Sequence, residues 1–118
     1  MRLMTFEQAG KTSYGVATDK GVIDLGGRIG DEYPTLLSLI EGQGQAAAEK
    51  AASGQGDDYT QADVTFLPVI PRPNKIICVG LNYGAHVGEG GGALPDFPSL
   101  FTRFTDTLVP DGGDLIVP

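Results

Sequence analysis

The stretch KIICVGLNYGAHVGEGGG, Lys75 to Gly92, decides how the rest of the sequence is interpreted. It opens with a near-continuous apolar run, which is typical of a β-strand covered on both faces, and then becomes rich in glycine. The only histidine, His86, lies in the glycine-rich half, three residues before Glu89. Three interpretations are open: an accident of packing, half of a metal site, or a general base with an acid that orients it.

The composition limits the kinds of partner. The 118 residues carry 8 Lys and Arg against 15 Asp and Glu, a net charge of -7, so the average field repels nucleic acid and anionic membranes. We therefore expect neither as a partner. The N-terminus lacks the apolar segment of a secretion signal, and the longest apolar run is too short to span a bilayer, which predicts a cytoplasmic location. Cys78 is the only cysteine, and its apolar surroundings predict a small buried hydrophobe.

The first half of the sequence predicts three strands and two helices. MRLMTF, SYGVAT and GVIDL have strand patterns, and the turn from Thr18 to Gly21 predicts a hairpin between the last two. YPTLLSLIEG predicts a short helix, with Pro34 at its first position, Gly42 as its stop, and one face formed by Leu36, Leu37 and Ile40.

A second helix is predicted by GQAAAEKAASG, residues 44–54, where the alanines Ala47, Ala48, Ala51 and Ala52 form a shallow apolar stripe. Residues 54–63 have the composition of a surface loop.

The proline-rich stretch VTFLPVIPRPN predicts a domain boundary. We expect an α+β protein, with a small αβ domain at residues 1–66 and the first strands of a mixed, mainly β domain at residues 67–118. SLFTRF, TLV and DLIVP are further strand candidates, separated by the turn-forming PDGGD. Because a buried strand needs neighbours and cover, we expect the chain to be the N-terminal part of a larger protein.

The spacing of His86 and Glu89 places them on one face if a turn of helix follows the strand. A carboxylate there fixes the imidazole tautomer and leaves the other ring nitrogen free to accept a proton, as a general base requires. The surrounding glycines are typical of a backbone that bends tightly or approaches a ligand.

Other sites are also conceivable. A hard cation could be held by His86 and Glu89 together with the carboxylates of Asp106, Asp111 or Asp114, although the last two fit turn positions better. The glycine run lacks the Gly-Lys-Ser/Thr ending of a phosphate-binding loop. Arg103 could bind a substrate carboxylate with its planar fork, or it could be a solvated strand residue.

At these residues a resemblance emerges. IPRPNKIICVGLNYGAHVGEGGG, followed by PDFPSLFTRFTDTLVPDGGDLIVP, resembles the opening of the catalytic domain in the fumarylacetoacetate hydrolase family, and the residues upstream resemble the small N-terminal domain of that family. The resemblance implies a β-roll-like catalytic domain, with His86 as general base and Glu89 as its partner. It also implies a homodimer and a Mg²⁺ or Mn²⁺ ion bound through a Glu-x-Glu pair and a later aspartate.

The resemblance implies a substrate among the 2-oxo or β-diketo acids and a hydrolase that cleaves a carbon–carbon bond. Decarboxylase, isomerase and dehydratase activities stay open, as does a non-catalytic binding module. Two departures bear on this. Ala85 stands where many relatives have an acidic residue, and no Glu-x-Glu occurs in the 118 residues, so we expect the metal ligands beyond residue 118 and no activity from these residues alone.

Overall fold

The structure is a computed structural model that describes residues 1–84 and 95–117. The chain divides into two compact units. The first contains residues 1–71 and the segment from Val109 onward, and the second contains Arg72–Leu108. Strands and helices are mixed in the first unit, and the α+β class predicted from the sequence is confirmed.

The first unit is built on an antiparallel sheet of five strands in the order β4-β3-β2-β1-β5. Three short helices accompany the sheet. In chain order the elements are β1 (Leu3–Gln8), β2 (Lys11–Ala17), β3 (Gly21–Asp24), α1 (Gly26–Ile29), α2 (Leu36–Glu41), α3 (Gln45–Ala52), β4 (Tyr59–Thr60) and β5 (Thr65–Leu67).

The predicted hairpin between β2 and β3 is confirmed, with Val16 opposite Ile23. Its turn is organised by Thr18, whose hydroxyl oxygen accepts hydrogen bonds from the backbone N–H of Lys20 at 3.1 Å and of Gly21 at 2.9 Å. A threonine that bonds the backbone a few residues ahead stabilises a turn locally, which favours this register.

Apolar side chains form a core cluster on each side of the sheet. One contains Tyr14, Leu25, Leu36, Leu39 and Ala48, contributed by strands and helices. The other contains Met4, Phe6 and Val22, with Tyr59 and Phe66 packed against it. Met4 and Phe6 share a face because alternate residues of a strand point to the same side of a sheet.

Helix α2 begins two residues later than the sequence predicted. Thr35 is its N-cap, and its hydroxyl accepts the backbone N–H of Ser38 at 3.0 Å, so the placement of Pro34 at the first helical position was wrong. The stop at Gly42 is confirmed. The predicted apolar face was wrong in part, since Leu36 and Leu39 are buried whereas Ile40 is 54% exposed.

Helix α3 and its alanine stripe are confirmed. Ala48 is fully buried, and three other alanines, Ala47, Ala51 and Ala52, are half-buried. The helix begins beside Gly44, where a Cβ atom would meet the side chains of Leu39 and Tyr33 at 2.6 and 2.9 Å. A glycine is therefore required where this helix joins the core.

The predicted surface loop at residues 54–63 was wrong in its second half, which forms β4 and a 3₁₀ turn, Gln61–Asp63. Tertiary contacts hold this segment. Asp58 forms an ion pair with Arg28 at 2.7 Å and accepts the backbone N–H of Asp24 at 2.7 Å. These contacts link residues 30 and 34 positions apart, which composition alone does not encode.

The proline-rich stretch also contains a strand. β5 pairs with β1, with Phe66 opposite Phe6, and the Thr5 hydroxyl donates to the Val69 carbonyl oxygen at 2.6 Å. The division between the units falls after Pro71. The assignment of residues 1–66 and 67–118 to two domains of the family stays a prediction.

The second unit contains an antiparallel hairpin of β6 (Ile76–Gly80) and β7 (Ser99–Arg103), followed by a 3₁₀ turn, Thr105–Thr107. Both strands were predicted. Ile77 is 62% and Leu100 is 64% exposed, so the described residues do not supply the cover expected on both faces of the strand, and that cover stays a prediction.

In the segment from Thr107 onward the predicted turn forms, with the Gly113 N–H donating to the Pro110 carbonyl at 3.0 Å. The strands predicted at TLV and DLIVP were wrong as far as the structure describes them, through residue 117. None of the helices in the described ranges has the length and apolarity needed to cross a membrane.

The first prediction concerns the buried centre of the sheet. Phe6 is fully buried in β1, so Phe6→Ala leaves a cavity and should lower the free energy of unfolding by about 3–5 kcal/mol. Chemical denaturation measures this. The matched control is Glu7→Ala at the neighbouring exposed position, which should change stability by less than about 0.5 kcal/mol. Equal effects of the two substitutions would contradict the position of the core.

Candidate functional site

The candidate site lies at the end of the β6–β7 hairpin from which the glycine-rich segment leaves. Gly80, the last residue of β6, pairs with Ser99, the first residue of β7. This pairing holds the two ends of residues 81–98 side by side. His86 and Glu89 belong to residues 85–94 and lie outside the described residues, so their geometry stays a prediction.

Leu81 turns the chain as it leaves β6. Its φ angle is +53°, in the left-handed region that favours glycine. A leucine in this region costs of order 1 kcal/mol or more, and residues held in such conformations cluster at functional sites. The side chain of Leu81 is 54% exposed, so little burial offsets this cost.

A shallow depression of about 230 Å³ opens beside Leu81. We call it the mouth depression, and among the described residues its lining is Val79, Gly80, Leu81, Asn82, Pro95, Asp96, Phe97 and Pro98. The lining comes from both ends of the segment that contains His86 and Glu89. Five of these residues have apolar side chains, and two, Asn82 and Asp96, have polar ones.

The sequence missed Asn82, Asp96 and Phe97 as candidate site residues. Two signals could have found them. Asn82 belongs to the GLNY stretch that precedes His86, and Asp96 and Phe97 stand between two prolines, which fix the backbone on either side.

Arg103 lies at the other end of the hairpin. It pairs with Ile76, whereas Ser99 pairs with Gly80, so Arg103 lies four positions, roughly 13 Å, along β7 from its first residue. Its guanidinium carbon is 5.8 Å from the centre of the Phe101 ring, a cation–π contact on the same face of the strand. Its role in binding a substrate carboxylate stays a prediction.

Three of the candidate metal ligands, Asp106, Asp111 and Asp114, are among the described residues. Asp106 belongs to the second unit, whereas Asp111 and Asp114 belong to the segment grouped with the first. Within the described ranges no group of three or more His, Cys, Asp or Glu side chains could hold a metal ion. Cys78 is partly buried and stands opposite Phe101, which agrees in part with its predicted packing role.

Displaced pKa values among the described residues lie in the first unit and have structural causes. Burial, assisted by the charge of Asp24, raises the pKa of Tyr14, whose hydroxyl donates to the Tyr33 carbonyl at 2.7 Å. The Thr60 hydroxyl and N–H lower the pKa of Asp63, which caps the 3₁₀ turn. Neither group points to catalysis.

Comparison with known proteins identifies relatives of the whole chain. The chain is 33% identical over 101 residues to the bovine (Bos taurus) protein named "Oxaloacetate tautomerase FAHD2A, mitochondrial". This alignment covers 83% of the chain and 32% of that protein. It is 31% identical over 101 residues, with the same coverage, to "Fumarylacetoacetate hydrolase domain-containing protein 2" of Pongo abelii.

A Xenopus laevis protein named "Oxaloacetate tautomerase fahd2, mitochondrial" is 26% identical over 125 residues, covering 100% of the chain and 39% of that protein. The chain thus spans about a third of the length of these curated relatives. No protein-family model matches the chain.

The second prediction concerns the backbone at Leu81. Leu81→Gly removes the cost of the left-handed conformation, whereas Leu81→Val adds a β-branched side chain that tolerates it poorly. In the glycine variant, the backbone amides of β6 and β7 should be protected from hydrogen exchange at least as strongly as in the wild-type protein. The valine variant should lower their protection about fivefold, equivalent to about 1 kcal/mol. The reverse order would contradict the left-handed turn.

Proposed function

The chain belongs to the fumarylacetoacetate hydrolase family, and from this premise we propose that it forms part of an enzyme that interconverts the keto and enol forms of a 2-oxo acid. The observation that carries the proposal is the similarity, over 83% of the chain, to relatives named oxaloacetate tautomerases. These relatives are enzymes. Because the chain spans only about a third of their length, the activity is proposed for the whole polypeptide that its gene encodes.

His86 is the residue that we propose moves the proton. A 2-oxo acid enolises when a base removes a proton from the carbon next to the carbonyl and a proton is added to the carbonyl oxygen. His86 would remove the first proton, and its protonated form, or water, would supply the second. Nothing is oxidised or reduced, and the substrate keeps its composition.

Glu89 is proposed to orient the imidazole and to stabilise its protonated form. A carboxylate that accepts a hydrogen bond from one ring nitrogen raises the basicity of the other. The hairpin supports this role indirectly, since Gly80 and Ser99 fix both ends of the segment that carries the pair. A rigid scaffold of this kind is how folds present reacting loops.

Hydrolysis of a carbon–carbon bond is the second candidate function, favoured by the relative named as a fumarylacetoacetate hydrolase domain-containing protein. Here His86 would deprotonate water for attack on the remote carbonyl of a β-diketo acid. Product analysis separates the two, because hydrolysis yields two shorter acids whereas tautomerisation yields one isomer. Decarboxylation would release carbon dioxide and is distinguished in the same assay.

The described residues do not supply a ligand set for the Mg²⁺ or Mn²⁺ ion expected from the family resemblance. We propose that such an ion is bound by carboxylates beyond residue 118, and the proton transfers above are assigned without it. We also propose that the protein is a homodimer whose partners are small acids, with neither nucleic acid nor membrane among them. The cytoplasmic location stays a prediction.

The third prediction concerns His86. In the full encoded protein, His86→Ala should lower kcat for enolisation of a 2-oxo acid by about 10² to 10⁴, because general-base catalysis contributes about that much. Loss of the enol absorbance measures the rate. Glu89→Gln should cause a smaller loss, since it weakens the orientation and basicity of the imidazole but leaves the base in place. The control is Lys20→Ala, an exposed turn position in the first unit. Near-wild-type turnover by His86→Ala would overturn the proposal.

The fourth prediction separates an enzyme from a binding module. Mg²⁺ together with oxalate, a chelating mimic of the enolate, should raise the melting temperature of the full encoded protein. At about 100 times the dissociation constant, binding adds about 2.7 kcal/mol of stability. EDTA should reverse the effect. A melting temperature unchanged by metal and oxalate would contradict the expected metal site and favour a non-catalytic module.

A further inference from the structure

We propose that Asp111 is a site of spontaneous covalent modification, at which the peptide bond to Gly112 moves from the main-chain carboxyl group of Asp111 to its side-chain carboxyl group. The product is an isoaspartyl residue. The site lies in the segment from Val109 onward, which belongs to the first unit, and the modification does not depend on the proposed function.

The modification is an isomerisation that proceeds through a five-membered ring. The backbone nitrogen of Gly112 bonds to the side-chain carboxyl carbon of Asp111, and the carboxyl hydroxyl leaves as water with the proton of that nitrogen. Water then adds to one of the two ring carbonyls and breaks its bond to nitrogen. Opening at the main-chain carbonyl leaves the chain connected through the side chain. The water released in the first step is taken up in the second, and nothing is oxidised or reduced.

The residue that follows the aspartate governs how readily this ring closes. Glycine has no Cβ atom, so it neither shields its own nitrogen nor restricts the rotation that brings this nitrogen to the carboxyl group. Asp111 is the only aspartate in the sequence that is followed by glycine. Asp114, three residues later, precedes Leu115, whose branched side chain hinders the same approach.

The turn at Asp111 leaves the reacting groups open. Asp111 and Gly112 are both exposed. The φ angle of Gly112 is +73°, and a Cβ atom built on it would meet nothing within 4 Å. The turn is closed by the hydrogen bond that the Gly113 N–H donates to the Pro110 carbonyl at 3.0 Å. Exposed turns of this kind open at a small free-energy cost, and the opened backbone can rotate into the geometry of the ring.

Aspartates in the folded part of the first unit are held by their neighbours. The Asp24 carboxylate accepts hydrogen bonds from the Ser13 hydroxyl at 2.6 Å and from the Gly27 N–H at 3.0 Å. Asp58 forms an ion pair with Arg28 at 2.7 Å. A carboxylate bonded in this way must give up these contacts before it can react with the nitrogen of the next residue. Both the local sequence and the fold therefore single out Asp111.

The test follows the full encoded protein during incubation at physiological temperature and pH. An isoaspartyl-specific methyltransferase with labelled S-adenosylmethionine measures isoaspartate, and peptide mapping locates the label. The label should increase with time at Asp111 and stay at background at Asp114. Asp111→Glu keeps the charge but would require a six-membered ring, so it should reduce the label to background. The matched control, Asp114→Glu, changes an exposed residue of the same segment and should leave the label at Asp111 unchanged.

A further variant tests the role of the following residue. Leu115→Gly places glycine after Asp114 and should create a second labelled site there, with the label at Asp111 unchanged. Absence of label at Asp111 in the native protein overturns the proposal, whether or not a urea-unfolded sample acquires it. Equal labelling of Asp111 and Asp114 in the wild-type protein, or no gain of label in Leu115→Gly, also overturns it. None of these measurements uses catalytic activity, so each outcome leaves the proposed function unaffected.

Discussion

The pairing of Gly80 with Ser99 is the constraint on which the candidate site depends. It brings together two flanks that are far apart in sequence, and it does so through backbone hydrogen bonds, so the side chains of the flanks are free to vary. Leu81 leaves the strand with a positive φ angle, and the return begins at a proline-bounded pair, Asp96 and Phe97. The hairpin therefore sets where the two ends of the proposed reacting segment leave the sheet.

The elements that the sequence predicted well are those whose signals are local. The β2–β3 hairpin depends on Thr18 and its neighbours, and α3 depends on alanines between two glycines. The elements that were missed depend on distant contacts. β4 and β5 are two and three residues long and exist because β3 and β1 offer them hydrogen-bonding edges. Conversely, DLIVP has a strand composition and no partner strand within the described residues.

The site could be predicted only in part, for a related reason. The spacing of His86 and Glu89 and the position of the strand before them are local features, and the strand is confirmed. The nearness of Asn82 and Asp96 depends on the register of the hairpin, which the sequence leaves open until the pairing of β6 with β7 is known. The position of Arg103 could not be predicted for the same reason, because it follows from the register that pairs Arg103 with Ile76 at the other end of the hairpin.

The sheet of the first unit has an order of assembly built into it. β1 lies between β2 and β5, so during synthesis it keeps one edge open until residues 65–67 have been made. The hairpin of β1 and β2 can form at once, whereas closure by β5 brings together residues some 60 positions apart, with the larger entropic cost of a long loop. Synthesis thus supplies all five strands of this sheet before residues 85–94, and the nascent chain can bury the core of the first unit before the proposed reacting segment is made.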